Sequence, residues 1–325
     1  MPITHAELKR AVLKKTTPPA FRNMLEFLKA RQVRLWGEHQ PEHYLENMLL
    51  LALYKDQNGV GYDKLENMME QALPAPHHTV AHNTDVLREH LYEWAKQYVK
   101  PGTLEEWRAA SADVARPGKI TDKALIWVDT WDGKKPGRFT VSAKDIEWSH
   151  KTRTPARRFL TLRDGNRRFR MIIGPFAPKY GDTEPMRVAA DVIEAMFAGV
   201  ALVGDKKFWD ARKSFTKVEI IAPEPEKRGR KRKNPEAGPQ GLPPAAKRRN
   251  ANISSLRARV EHDYARLGAR WKALSGIFWE DSELQHKYLV WSHAAWRTTS
   301  LITLLSKACV VGRSGKTEMA GRLVP

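Results

Sequence analysis

Two short apolar runs set the tightest limit on how this chain folds. Residues 124–128 (ALIWV) and 199–203 (GVALV) are apolar without alternation, so each predicts a strand buried on both faces. Between them, residues 159–162 and 168–173 flank Asp164-Gly165-Asn166, a hairpin signal. Residues 184–197 carry Val188, Val192, Ile193 and Met196 on one side and predict a helix. Residues 216–221 (TKVEII) predict a further strand. Residues 252–274 hold the best helical stripe, through Ile253, Leu256, Val260, Tyr264, Leu267, Trp271 and Leu274. Strand, hairpin, helix, strand, strand, helix is an α/β order with a mixed sheet.

Residues 1–110 read differently, as an all-α unit. Leu45, Met48, Leu49 and Ala52 keep helical spacing, as do Tyr62, Leu65, Met68 and Ala72. LPAPHH at 73–78 breaks the pattern, and a third stripe through Val80, Leu87, Leu91, Trp94 and Tyr98 is stopped by Pro101-Gly102. Helix, short turn, helix fits a helix-turn-helix unit, and an ordinary bundle fits as well. The outward face expected for the third helix carries Asp85, Glu89 and Glu93 beside Arg88 and Lys96, a poor surface for a DNA groove. The domain plan is therefore 1–110 helical, 120–222 with 251–300 as the α/β domain, 223–250 as an insert and 301–325 as a tail.

Charge points to the partner. The 56 Lys+Arg exceed the 37 Asp+Glu by 19, a field that favours polyanions, nucleic acid first and acidic membrane second. Residues 226–250 hold nine Lys/Arg against two Glu in a Pro-rich context, which predicts a solvated insert. Its clusters at 227–233 and 247–249 resemble a bipartite nuclear-localisation signal, and an unselective phosphate-touching insert is the alternative. The single cysteine, Cys309, excludes a disulfide framework and Cys-rich zinc modules. No secretory signal pattern opens the chain, and the apolar stretch at 301–311 is interrupted by Ser306 and Lys307 and too short to span a bilayer. The expectation is a soluble intracellular protein without a membrane partner.

Both buried strands end on an aspartate, Asp129 and Asp205. Strand C-termini in open α/β sheets are where ligands and metals sit. A third acid, Glu261, lies on the long helix, with small Ala265 and Gly268 following at helical spacing. Three carboxylates converging from two strands and a helix would make an oxygen-rich site suited to Mg²⁺ or Mn²⁺, two ions in all. Taken singly, each acid is more often a cap or turn residue than a ligand.

Four stretches carry a resemblance to the DDE-type transposases of the Harbinger group. WVDTWDG at 127–133 looks like the family's first-aspartate strand, and residues 149–176 (SHKTRTPARRFLTLRDGNRRFRMIIGPF) resemble its basic tract, hairpin and Gly-Pro segment. LVGDKKFWDAR at 202–212 stands where a second aspartate precedes Lys-Gly-Tyr, and SSLRARVEHDYARLGARWKAL at 254–274 is similar to the final glutamate helix. The resemblance, from about Tyr44 to Trp271, implies an RNase H-like nuclease domain after a helix-turn-helix-like domain. It makes Asp129, Asp205 and Glu261 the metal ligands, puts Lys206 close to phosphate, and implies a separate Myb-like DNA-binding partner. The departures are Lys207 for glycine, Phe208 for tyrosine, and Gly181-Asp182 where His-Asp is common.

Around this site, residues 151–170 hold eight basic residues and one acid. Lys151, Arg153, Arg157, Arg158, Arg163, Arg168 and Arg170 are read as a phosphate-binding face, since like charges opposed in a hairpin are relieved by a polyanion. Arg257, Arg259, Arg266 and Arg270 on the helix would track the same double-stranded DNA. Some motifs are set aside: residues 312–317 mimic a phosphate loop without its first glycine, His77, His78 and His82 lack partners for a ligand pattern, and Trp279, Trp291 and Trp296 read as packing anchors. The leading reading is a nuclear, metal-dependent DNA transposase or endonuclease, with homo-oligomer formation left open. A domesticated DNA or chromatin adaptor is the second, and a non-transposase nuclease on the same sheet the third.

Overall fold

The computed structural model describes residues 4–16, 18–37, 43–62, 65, 76–98, 101–112, 120–134, 147–225, 242–272 and three short strands between 303 and 318. Within the last long helix, the side chains of 259–263, 265–268 and 270 fall outside that description.

The N-terminal helices are α1 (His5–Leu13), α2 (Pro18–Ala30), α3 (Tyr44–Asn58) and α4 (His77–Tyr98). Thr4 and Glu7 open α1 with a reciprocal capping box, which satisfies donors the first turn cannot. In α3, Met48 to Leu53 are all buried, so this helix is apolar around most of its girth and forms the centre of the bundle. Leu87, Leu91 and Trp94 of α4 pack on it, as their spacing predicts. Arg88 corrects the sequence expectation of an outward position. It is buried, with its guanidinium 2.7 Å from Asp56 of α3 and 3.1 Å from Asp85, because a carboxylate buried inside the bundle requires a paired cation. Met68 and Ala72 of the expected second stripe lie outside the described residues, as does the turn that a helix-turn-helix would need.

Helix α5 (Leu104–Ala112) leads into the sheet, where Leu125 donates its amide to Ser111 Oγ at 2.8 Å. The strands are β1 (Leu125–Lys134), β2 (Trp148–Ser149), β3 (Thr154–Arg163), β4 (Phe169–Phe176), β5 (Ala201–Val203), β6 (Glu219–Ile221) and β7 (Thr303–Leu304). Their order is β6-β5-β1-β3-β4-β7, with β2 on β3. Strands β1, β3 and β4 form an antiparallel meander, while β5 and β6 run parallel to β1 on its other side. The mixed α/β class is as expected, and β7 brings part of the presumed tail into the sheet.

Alternation sorts each strand onto two covered faces. Leu125, Trp127, Ala201, Val203 and Ile221 pack under Ile253 and Leu256 of α8 (Pro244–Arg270). Phe159, Phe169 and Ile172 on the same side meet the helical bundle and Trp271. Ile126, Val128, Leu160, Leu162 and Leu202 face the other way, onto Met186, Ile193 and Phe197 in the region of α6 (Thr183–Val188) and α7 (Ala190–Met196).

Several expected boundaries move, the first being that of β1, which does not end at Asp129 but runs on to Lys134 against β3, leaving that aspartate mid-strand. The helix at 184–197 is two short helices that break at Ala189, and it buries Met186, Ile193 and Phe197, whereas Val188, Val192 and Met196 are only half-buried. Strand β6 is shorter than 216–221 because Glu194 takes the Lys217 amide at 2.6 Å, removing it from the ladder. Helix α8 begins at Pro244, inside the presumed loop. Proline suits a first helical position, and AAKRRNA continues with good helix formers, so the basic cluster at 247–249 is helical. The cluster at 227–233 lies outside the described residues. No helix among the described residues is long and apolar enough to cross a membrane.

Replacing Arg88 by Ala strands the Asp56 carboxylate in the bundle and is expected to cost about 3–5 kcal/mol in urea denaturation. Removing both charges together, as Arg88→Met with Asp56→Leu, is expected to recover most of that loss.

Candidate functional site

The parallel β1–β5 ladder runs toward both sequence-predicted aspartates, of which Asp129 is mid-strand in β1 and Asp205 lies past the end of β5. Its last registered pair is Trp127 with Val203, and Asp129 and Asp205 each follow two residues later. Asp129 lies within β1 on the side covered by α8, whereas Asp205 lies past the end of β5, beyond the last registered pair. Asp205 leaves the strand to cap a 3₁₀ helix (Lys206–Ser214), accepting the Lys207 amide at 2.8 Å. The turn is tight. A Cβ at Gly204 would lie 2.6 Å from the Phe208 ring and 3.0 Å from Val128, so only glycine lets Phe208 bury here.

Helix α8 crosses directly above. Trp127 Nε1 donates to the Leu256 carbonyl at 3.0 Å, and one turn past Glu261 the Tyr264 hydroxyl bonds Thr161, the residue paired with Asp129 across β1–β3. Position 261 lies between these anchors, four residues after Arg257 and three before Tyr264, and hence on their helix face. The Glu261 side chain itself lies outside the described residues. Among the described residues no three His, Cys, Asp or Glu side chains are grouped as an ion would require. The expected third oxygen donor is therefore described only through its backbone.

Asp129 is half-buried, with its carboxylate accepting the Thr130 amide at 2.7 Å. Burial pushes its pKa above the ordinary aspartate value, and Lys151, the Thr130 amide, Arg163 and Arg257 offset only part of that push. Lys151 is exposed and reaches the Thr130 carbonyl at 3.3 Å. A carboxylate raised by desolvation is a ligand that fits a hard divalent cation.

Compared with models of protein families, curated proteins and solved structures, the chain matches none. Its site is thus read from geometry alone.

On the opposite side of the sheet lies a group of acids that the sequence reading passed over. Arg158 binds Asp132 through two bonds of 2.7 and 2.8 Å and Asp182 through a third contact at 3.0 Å. Ser149 donates to Asp132, Thr130 donates to Asp182 at 2.6 Å, and the Lys207 ammonium bonds Asp182. Burial alone would raise the Asp182 pKa, but the bonds from Lys207 and Thr130 and the charge of Arg158 bring it below the ordinary value. The bond to Asp182 raises that of Lys207. These acids are saturated by cations and hydroxyls and have no call on a metal ion. A signal did exist in the sequence, since Asp132 and Arg158 are opposite charges in one antiparallel pair, but residues 135–153 between them hide the register.

The basic residues divide. Arg158, Arg163 and Arg170 are buried, which corrects their reading as an exposed phosphate face. Arg170 pairs with Asp164 at 2.7 Å and Glu106 at 3.3 Å, and Arg163 lies over the rings of Tyr264 and Phe169. The hairpin's like charges are separated by burial and pairing without any polyanion. Arg168 sits at the β3–β4 turn, toward the edge away from Asp129 and Asp205. Lys151, Arg153 and Lys206 are exposed and Arg157 is half-buried; Lys151 reaches Thr130, Arg157 stands opposite Gly133 farther along β1, and Lys206 follows Asp205. Arg257 is half-buried near Asp129, and the side chains of Arg259, Arg266 and Arg270 lie outside the described residues. His82 stacks on Trp36 with centroids 3.6 Å apart.

The Asp129 shift has a testable sign. Between the ordinary aspartate pKa and the raised native value the folded state holds a proton that the unfolded state has lost, so stability falls as pH rises through that window. Asp129→Asn removes this penalty and is expected to raise the melting temperature at pH 7, with the gain shrinking as the pH approaches the ordinary aspartate pKa.

Proposed function

We propose that this protein is a metal-dependent DNA-cutting enzyme of the DDE type, a Harbinger-like transposase or an endonuclease derived from one. The observation that supports the reading is the β1–β5 register, after which Asp129 and Asp205 each follow by two residues, with the helix bearing Glu261 packed over β1. The strand order supports an RNase H-like domain: an antiparallel β1-β3-β4 meander on one side and parallel β5 and β6 on the other. An N-terminal unit related to helix-turn-helix proteins belongs to the same proposal.

Asp129, Asp205 and Glu261 would hold one or two Mg²⁺ or Mn²⁺ ions, which supply Lewis acidity toward phosphate and water when bound. The chain's own residues do the positioning. Lys151, Arg153, Arg157 and Lys206 border the acids and bind the DNA backbone, drawing a phosphodiester over two carboxylates that would repel it unaided. Arg257, on the α8 face toward Asp129, adds positive charge from above, and Arg259, Arg266 and Arg270 extend the track along the helix. The buried Arg158, Arg163 and Arg170 hold the sheet together and do not belong to that track. A nuclear location, a Myb-like partner and self-association complete the proposal.

The adaptor reading, in which the acids survive without chemistry, predicts DNA binding without cutting. Supercoiled DNA incubated with the protein separates the two: Mg²⁺- or Mn²⁺-dependent nicking that EDTA abolishes and Asp129→Asn removes supports the enzyme, and binding without nicking supports the adaptor. The binding edge has its own test. Lys151→Ala is expected to lower the salt slope of DNA affinity by about 0.9, whereas substitutions of Arg168 are expected to leave it unchanged.

A further inference from the structure

Lys207 departs from the resemblance noted above, Asp182 keeps the aspartate of its His-Asp pair, and in the fold the two bond each other. We infer that they form a latch that sets the turn carrying Asp205 against the strand carrying Asp129. The inference deepens the nuclease reading and makes both positioning residues, not catalytic ones.

Three bonds fix Lys207. Its amide donates to Asp205 at 2.8 Å, its carbonyl accepts from the Thr183 hydroxyl at 2.8 Å, and its ammonium donates to the buried Asp182 carboxylate. Asp182 in turn accepts from Thr130, the residue next to Asp129, and contacts Arg158 at 3.0 Å. Asp182 thus touches one residue beside the first acid and another two residues past the second. Arg158 is locked on Asp132, and Asp132 takes the Ser149 hydroxyl, so the chain of bonds reaches β2 and β3 as well. Lys207 does not have a positive φ, so its backbone gives no reason for glycine at this position. A lysine there exchanges local freedom for a tether. Because the tether runs on the side of the sheet away from α8, it orients Asp205 without occupying the space between the two acids.

Hydrogen exchange of the 203–209 segment in the full chain reads the latch directly. Lys207→Ala and Asp182→Asn are each expected to speed exchange of the Lys207 amide by about fivefold, the range for an ion pair with one exposed partner. The double variant is expected to be no faster than either single one, and Lys207→Arg to restore protection. Unchanged exchange in Lys207→Ala, or additive effects in the double variant, overturns the latch. Nicking with Mn²⁺ adds a second readout: Lys207→Ala is expected to slow turnover at saturating DNA while leaving DNA affinity in EDTA within twofold, roughly the effect of one exposed charge. Lys206→Ala is expected to weaken DNA binding and leave exchange unchanged. Slower nicking with unchanged exchange means that Lys207 contacts DNA and overturns the inference. A wild-type protein that never nicks removes the enzyme reading, and the exchange data then decide the latch alone.

Discussion

Every distance at the carboxylate edge depends on the pairing of β1 with β5. The two strands share only three registered pairs, and all six residues are buried. Because side chains alternate with a period of two, a slip of one residue would exchange Leu125, Trp127, Ala201 and Val203 with the residues of the opposite layer. Trp127 and Val203 fit beneath Ile253 and Leu256, and the indole N–H is bonded to the helix backbone. The same packing that forbids the slip therefore fixes the face of β1 on which Asp129 lies. Placement of that acid is a consequence of core packing two residues earlier on its strand.

Much of the chain's positive charge is internal structure. Arg88, Arg158, Arg163 and Arg170 are all buried, and carboxylates hold Arg88, Arg158 and Arg170. Arginine serves here because its planar fork matches a carboxylate through two bonds, as Arg158 does with Asp132. Such pairs add modestly to net stability, since desolvation cancels most of the attraction, yet losing one partner is costly. They enforce register: Asp132 stands opposite Arg158 in the β1–β3 ladder, and any other alignment would bury each charge alone. What remains on the surface near the acids is a smaller set led by Lys151, Arg153 and Lys206.

The order of strands, the hairpin around Asp164 and the stripe of α8 were legible because each rests on local periodicity or turn chemistry. The apolar run also made Asp129 look like the end of its strand, whereas β1 continues to Lys134. What periodicity could not supply is which charges find each other across the chain. Arg88 and Asp56 lie 32 residues apart and on different helices, and Arg158 and Asp182 are joined only by the fold. Composition made the hairpin look like a repelling basic face, when its turn carries the aspartate that binds Arg170. Prolines made residues 242–250 look unstructured, although one of them starts a helix. The Glu261 side chain, and with it the completeness of the acid trio, lies outside the described residues.

The sheet separates two kinds of acid, and the separation bears on chemistry. Asp132 and Asp182 belong to the layer of α6 and α7, where Arg158, Lys207, Ser149 and Thr130 saturate them and the Asp182 pKa falls. Asp129 belongs to the other layer, where its one described bond comes from a backbone amide and burial raises its pKa. A carboxylate already neutralised gains little from a divalent cation, whereas one carrying an unrelieved desolvation penalty gains most. Adjacent positions on one strand, Asp129 and Thr130, thus serve opposite ends. One side chain faces the helix layer with a raised pKa, and the other anchors the ion-pair network that stiffens the strand from behind. Alternation along β1 is what lets a rigid support and a reactive edge occupy consecutive residues.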